Sequence, residues 1–104
     1  MNYNSQVKTQ LLLSAVVAIT LSQPVSLPPG KKIFHISMAS GTATAKIQGS
    51  VDGTNWTDLH SEATSSSAEE KDIELDDVYP KHRANVSAWT SGAISVTVGW
   101  PANN

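Results

Sequence analysis

The sequence predicts an all-β protein, an antiparallel β-sandwich or jelly-roll-like barrel of seven to eight short strands. Apolar and polar residues alternate with period two in several separate segments, as they do in strands that bury one face. Turn sequences rich in Gly, Pro, Ser and Asp divide these segments at regular intervals. A chain of 104 residues is long enough for one domain with one hydrophobic core.

The first six residues, MNYNSQ, have no periodic apolar pattern and are predicted to form an N-terminal arm. Tyr3 is the only large side chain in this arm with which a partner can be anchored. Residues 7–104 are then predicted to form the single sandwich domain.

The segment from Val7 to Leu21 is rich in Leu, Val and Ile. Two strands, or one long bent strand, fit it best because the β-branched residues cluster after Ala15. A helix over Leu11–Leu21 is the alternative. The apolar run Leu11–Leu21 is too short to cross a bilayer. The residues before it are mostly polar, which argues against a signal peptide. We therefore expect no membrane partner.

The remaining strands follow from alternation and from the turns between them. In the segment from Lys31, we expect Phe34, Ile36 and Met38 on the inward face. Asp52-Gly53 predicts a tight turn, and the Ser- and Glu-rich stretch Ser61–Lys71 predicts a long loop. The predicted strands are residues 31–38, 42–51, 56–60, 71–75, 82–90 and 93–100.

Three tryptophans supply most of the apolar area available for contact with partners. Alternation places Ala84, Val86 and Ala88 inward, so we expect Trp89 to face outward, as an interface residue or a sugar platform. Trp56, beside the Asp-Gly turn, is predicted to fill the core under that turn. Trp100 ends a strand and is predicted to pack under the arm or against a neighbour.

Composition and spacing argue against several functions. Seven basic and nine acidic residues give a net charge of −2, which predicts no nucleic-acid partner. The absence of cysteine excludes disulfides and thiolate sites. His35, His60 and His82 lie in separate segments without ligand spacing, and Asp52-Gly53-Thr54-Asn55 offers few oxygens for calcium, so neither a metal site nor a cofactor is predicted. With no Gly-x-Ser-x-Gly motif and no paired nucleophile and base, we expect no enzymatic activity.

Two hairpin segments carry a resemblance to a known family. AKIQGSVDGTNWTDL (Ala45–Leu59) and HRANVSAWTSGAISVTVGW (His82–Trp100) resemble the small β-sandwich proteins of tailed-bacteriophage virions. In that family a "DGTNW"-type turn and a "W-x-x-L" strand precede a "Y-x-R-x-x-V" strand and a closing "SGT-x-x-V-x-V" strand. The Gly49–Leu59 hairpin is also similar to one in discoidin-like carbohydrate-binding modules, but those modules are longer than this chain.

The phage resemblance implies a virion structural protein without enzymatic activity, assembled in the host cytoplasm. Within that class it favours a capsid decoration (cement) protein that binds the major capsid protein or other virion proteins, as a homo-oligomer and most often a trimer. A neck, tail or fibre-attachment adaptor and a carbohydrate-binding module are the alternatives. The residues expected to contact partners are Tyr3, Leu11, Leu13, Trp56, Trp89 and Trp100.

Overall fold

The computed structural model describes residues 7–65 and 67–101, which form nine strands and no helix. The predicted all-β class is confirmed, and the strand count exceeds the prediction because two of the nine are only two residues long. The strands are β1 Val7–Val16, β2 Thr20–Leu21, β3 Val25–Ser26, β4 Gly30–Met38, β5 Thr42–Ser50, β6 Thr57–Ser65, β7 Glu69–Asp77, β8 Lys81–Trp89 and β9 Ile94–Pro101.

The strands form two antiparallel sheets that face each other. The first sheet has the order β1-β9-β4-β7, and the second has the order β2-β8-β5-β6, with β3 also paired to β8. As the alternation predicts, Phe34, Ile36 and Met38 of β4 are buried between the sheets. The other buried apolar side chains are Leu13, Leu27, Ala43, Ala45, Ile47, Ile73, Ala84, Val86, Ile94, Val96 and Val98.

The N-terminal apolar segment is β-structure, so the strand prediction is correct and the alternative helix over Leu11–Leu21 is wrong. β1 pairs with β9, and its register shifts after Leu11 and again after Leu13. Ala15 has a positive φ of 48°, which bends the chain toward β2. No helix within the described residues has the length and apolar character that spanning a membrane requires.

The long loop predicted over Ser61–Lys71 is wrong. β6 continues to Ser65 and β7 begins at Glu69, which leaves a short connection between the two sheets. β6 is the edge strand of its sheet, and most of its side chains are at least partly exposed. Because an exposed edge strand such as β6 needs no apolar face, it can consist largely of Ser, Thr and Glu. Such a sequence resembles that of a loop, which explains the wrong prediction.

Trp89 faces inward, against the prediction. In the β5–β8 pairing, Ala45 lies opposite Val86, but the adjacent Thr44 lies opposite Ala88. Ser87 has no partner of its own on β5 and forms a β-bulge. This bulge reverses the alternation: Ala88 is exposed, and Trp89 packs against the core. The indole Nε1–H of Trp89 donates a hydrogen bond of 2.7 Å to the carbonyl oxygen of Gly92.

Candidate functional site

An apolar groove of about 250 Å³ lies on the outer face of the first sheet, and we name it the Gly99 groove. Thr9 of β1 and Ile33 of β4 are the strand partners of Gly99 on either side. Because Gly99 has no side chain, a hollow remains between the two neighbouring strands. The groove is lined by Val7, Lys31, Lys32, Ile33, Glu74, Gly99, Trp100 and Pro101.

Both ends of the described chain meet at this groove. Val7 is the first described residue and Pro101 the last, and each contributes to the lining. The predicted arm and its anchor Tyr3 lie outside the described residues. Trp100 is half-buried, lines the groove and also packs against the core.

A ladder of charged side chains borders the groove. Strand β7 directs four acidic residues outward at alternate positions: Glu70, Asp72, Glu74 and Asp76. Opposite them on β4, Lys31 Nζ lies 3.6 Å from Glu74 Oε2. His35 bridges two acids, with Nδ1 2.6 Å from Asp72 Oδ1 and Nε2 2.7 Å from Glu70 Oε1. The hydrogen bond that Asp72 accepts has the largest effect and the one that Glu70 accepts the second largest, and both raise the pKa of His35.

Exposed apolar side chains are concentrated at the N-terminal end of the described chain. Of the eight large exposed ones, five lie between residues 7 and 21: Val7, Leu11, Val17, Ile19 and Leu21. Leu11 is 54% exposed, and its contact with a partner stays a prediction. Leu13 is only 4% exposed and belongs to the core, because the register shift after Leu11 turns it inward. Leu13 is therefore unavailable to a partner.

Trp56 does not fill the core, and that prediction is wrong. It is half-buried, and the Arg83 guanidinium carbon lies 4.2 Å from the centroid of its ring. Arg83 points away from the core and donates from Nε to Gln48 Oε1 at 2.8 Å. Gln48 in turn donates to Asp58 Oδ1 at 2.6 Å, and Lys46 Nζ donates to Asp58 Oδ2 at 3.1 Å. Trp56 thus covers a polar network on the outer face of the second sheet.

Asp52 closes the loop that carries the Asp-Gly sequence. Its Oδ1 accepts hydrogen bonds of 2.8 Å from the backbone amides of Thr54 and Asn55 and one of 3.1 Å from the Ser50 hydroxyl. Its Oδ2 accepts from the Asn55 side chain at 2.9 Å. These donors, led by the Asn55 and Thr54 amides, lower the pKa of Asp52. The Asp52 carboxylate therefore stabilises the loop through these hydrogen bonds. No group of three or more His, Asp or Glu suited to a metal ion occurs in the described part of the chain.

Two carboxyl groups meet where β6 and β7 face each other. Glu62 accepts from His60 Nε2 at 2.9 Å, and Lys71 Nζ lies 4.0 Å from it. The hydrogen bond between the two carboxyl groups lowers the pKa of Glu62 and raises that of Glu69. This contact links the two sheets at their polar edge.

A buried ionic cluster lies at one end of the core, and the sequence analysis missed it. The Lys32 side chain is fully buried, and its Nζ donates to Asp77 Oδ1 at 3.2 Å, to the Asp77 carbonyl at 3.2 Å and to the Gly30 carbonyl at 2.7 Å. His82, also fully buried, contacts Asp77 through Nε2 at 3.0 Å. Lys32 is in phase with Phe34 and Ile36 along β4, and this was the signal from which its burial could have been predicted.

Charge and burial set the protonation of this cluster. Burial alone would raise the pKa of Asp77, but hydrogen bonds and charge from His82 and Lys32 outweigh it and hold the pKa below its usual range. Burial, reinforced by Lys32, lowers the pKa of His82 despite the opposing effect of Asp77. The lowered pKa favours neutral His82, and the tautomer that donates Nε2–H to Asp77 leaves the buried Nδ1 without a hydrogen-bond partner among the described residues. The geometry gives the cluster a structural role, because its charges compensate one another inside the core.

Comparison with known proteins shows the fold. No family model matches the sequence, and no curated protein matches it. Among solved structures, the fold is similar to that of the SPBc2 prophage-derived protein YomS, with a TM-score of 0.67 and 12% sequence identity over 98% of each chain. It is also similar to that of PirA, with a TM-score of 0.54 and 11% identity over 98% of this chain and 97% of PirA. The chain thus shares an end-to-end fold with a protein of prophage origin.

Proposed function

We propose that this chain is a structural protein of a tailed-bacteriophage particle, and specifically a capsid decoration protein that attaches to the major capsid protein from outside. The observation that carries the proposal is the Gly99 groove, an apolar hollow on the outer face of the first sheet. The end-to-end fold similarity to a prophage-derived protein and the phage-type hairpin sequences support the same assignment.

The groove suits attachment to another protein for a physical reason. Ile33 is 48% exposed and Val7 is 67% exposed, so both keep apolar area that a partner removes from water on binding. Each 100 Å² of such area contributes about 2.5 kcal/mol before the entropy cost of association. The acidic ladder on β7 adjoins this area and favours a partner with basic residues beside its apolar contact.

Copy number in purified particles tests the proposal. Quantitative mass spectrometry of particles from a host that carries the gene would compare this chain with the major capsid protein. A decoration protein is present in hundreds of copies, because it follows the shell lattice. Absence from the particles would overturn the proposal, and a dozen copies or fewer would assign the chain to the neck, tail or fibre attachment.

Two variants test the surface. Ile33→Ser removes an apolar wall of the groove, and we expect it to lower occupancy on shells that lack the protein. Val78→Ser is the matched control, because Val78 is 79% exposed and lies outside the groove lining. Deletion of residues 1–6 tests the predicted arm, since Val7, the residue that follows it in the sequence, lines the groove. Equal occupancy for Ile33→Ser and Val78→Ser would reject the groove as the attachment site.

The carbohydrate-binding alternative has less support in the geometry. The Trp89 indole packs against the core, and Arg83 already lies against the ring of Trp56. Stacking of a sugar requires an open aromatic face. A glycan titration that saturates with the wild type and is abolished in Trp56→Ala would nevertheless favour this alternative over attachment to a shell.

A further inference from the structure

We propose that the free edge of β1 pairs with β1 of a second copy of this chain, antiparallel and about a two-fold axis. The four-stranded sheets of the two copies would then join into one eight-stranded sheet. β1 stands at the end of the order β1-β9-β4-β7, and within residues 7–65 and 67–101 it pairs only with β9. No strand of the described part of the chain pairs with the backbone groups on its other side, which is the kind of edge that another strand can extend.

The other edge of the same sheet is protected against self-pairing, whereas β1 is not. β7 carries the acidic ladder, and pairing two such strands would bring like charges together. In β1 the only charged residue is Lys8, and no proline interrupts residues 7–16. Val7 and Leu11 of β1 are 67% and 54% exposed. An apolar, almost uncharged edge of this kind is an interface unless another strand covers it.

A second copy fits this edge better through its own β1 than through its β7. Pairing β1 with β7 of another copy would place Val7 and Leu11 beside the outward carboxylates of the acidic ladder. Pairing β1 with β1 places apolar residues next to apolar residues. An arrangement in which both copies use the same strand closes at two chains, because it leaves no second edge of that type open.

The residues of β1 indicate the register. The strand pairs regularly with β9 from Val7 to Leu11, and the first irregularity follows Leu11. A two-fold axis at Thr9, the centre of this regular stretch, sets Val7 opposite Leu11 of the second copy and Thr9 opposite Thr9. The same register sets Lys8 opposite Gln10, so no like charges lie directly across from each other.

The neighbouring chain extends this surface. Val17, Ile19 and Leu21 continue from β1 into β2 and are 54–68% exposed. β2 is the edge strand of the second sheet and pairs with β8. β1 also contacts β8, so both sheets end on this side of the sandwich. The surface therefore offers a second copy more apolar area than one strand edge alone.

The mass of the purified full-length chain in solution tests the inference, whatever particle the chain belongs to. Sedimentation equilibrium of the wild type over a range of concentrations is expected to show a monomer–dimer equilibrium. Thr9→Lys sets two lysines opposite each other at the proposed axis and is expected to raise the dimer dissociation constant at least about ten-fold. Thr57→Lys makes the same exchange at an exposed position of β6 and is expected to leave the dimer unchanged.

Charge exchange makes the test specific to the register. Thr9→Glu alone is also expected to raise the dimer dissociation constant, whereas an equimolar mixture of Thr9→Lys and Thr9→Glu is expected to form heterodimers. A wild type that remains monomeric, or forms the trimer implied by the phage resemblance, would overturn the inference. A dimer that Thr9→Lys leaves intact, or a mixture that stays monomeric, would overturn it as well.

Discussion

Replacing Asp77 with alanine is expected to destabilise the protein by about 3–5 kcal/mol, because it removes the partner of a buried cation. Lys32 is 1% exposed, and the Asp77 carboxylate is the only anionic group that it contacts in the described chain. Without that carboxylate, a full positive charge remains in the core.

The structure sets the size of the effect. The substitution also removes the acceptor for His82 Nε2, at 3.0 Å, and for the Tyr79 amide, at 3.1 Å. Two carbonyl acceptors of Lys32 Nζ, those of Gly30 and of residue 77 itself, remain and limit the loss. For 104 residues the unfolding entropy is about 0.22 kcal/mol per kelvin, so the expected loss lowers Tm by about 14–23 °C.

Urea unfolding of Asp77→Ala and Asp76→Ala provides the measurement. Asp76 is the adjacent residue, points to solvent, and is expected to change the free energy of unfolding by less than about 0.5 kcal/mol when replaced. The double variant Lys32→Met/Asp77→Ala removes the stranded charge and is expected to recover part of the loss. Equal urea midpoints for the two single variants would refute the argument that the ion pair is buried and coupled.

Two further predictions concern titration and backbone strain. NMR titration is expected to give His82 a pKa below 6.5 and His35 a pKa above 6.5. The stability that His82 contributes is then present above pH 6.5 and is lost as the pH falls through its folded pKa. The stability that His35 contributes is present below pH 6.5 and is lost as the pH rises through its folded pKa. The same shift direction for both histidines would contradict these environments. Gly53→Ala is expected to lower the free energy of unfolding in urea by about 1–2 kcal/mol, because φ at Gly53 is +79°. Gly99→Ala is the control and is expected to cost little, since its methyl group would lie 3.4 Å from Val7 Cγ1. Equal losses for the two variants would argue against strain at Gly53.

Period-two patterning predicted the fold where a strand buries one face regularly. β4 follows the predicted alternation, and Gly53 has the positive φ that an Asp-Gly turn requires. The connection is nevertheless longer than the predicted tight turn, because residues 51–56 separate the end of β5 from the start of β6. The predictions failed where this condition is absent. β6 lies at an edge and has no apolar face to detect. In β8, one extra residue at Ser87 exchanged the faces of the residues that follow it, and the sequence carried no separate mark of that bulge.

The sequence by itself determined the class of the fold and the positions of most strands. These depend on local spacing, which a short window of residues already contains. Tertiary structure alone decided the Gly99 groove and the pairing of Lys32 with Asp77, because each joins strands that are far apart along the chain. The physical reason is that sheet order and strand register bring these residues together, and many orders are compatible with the same alternation.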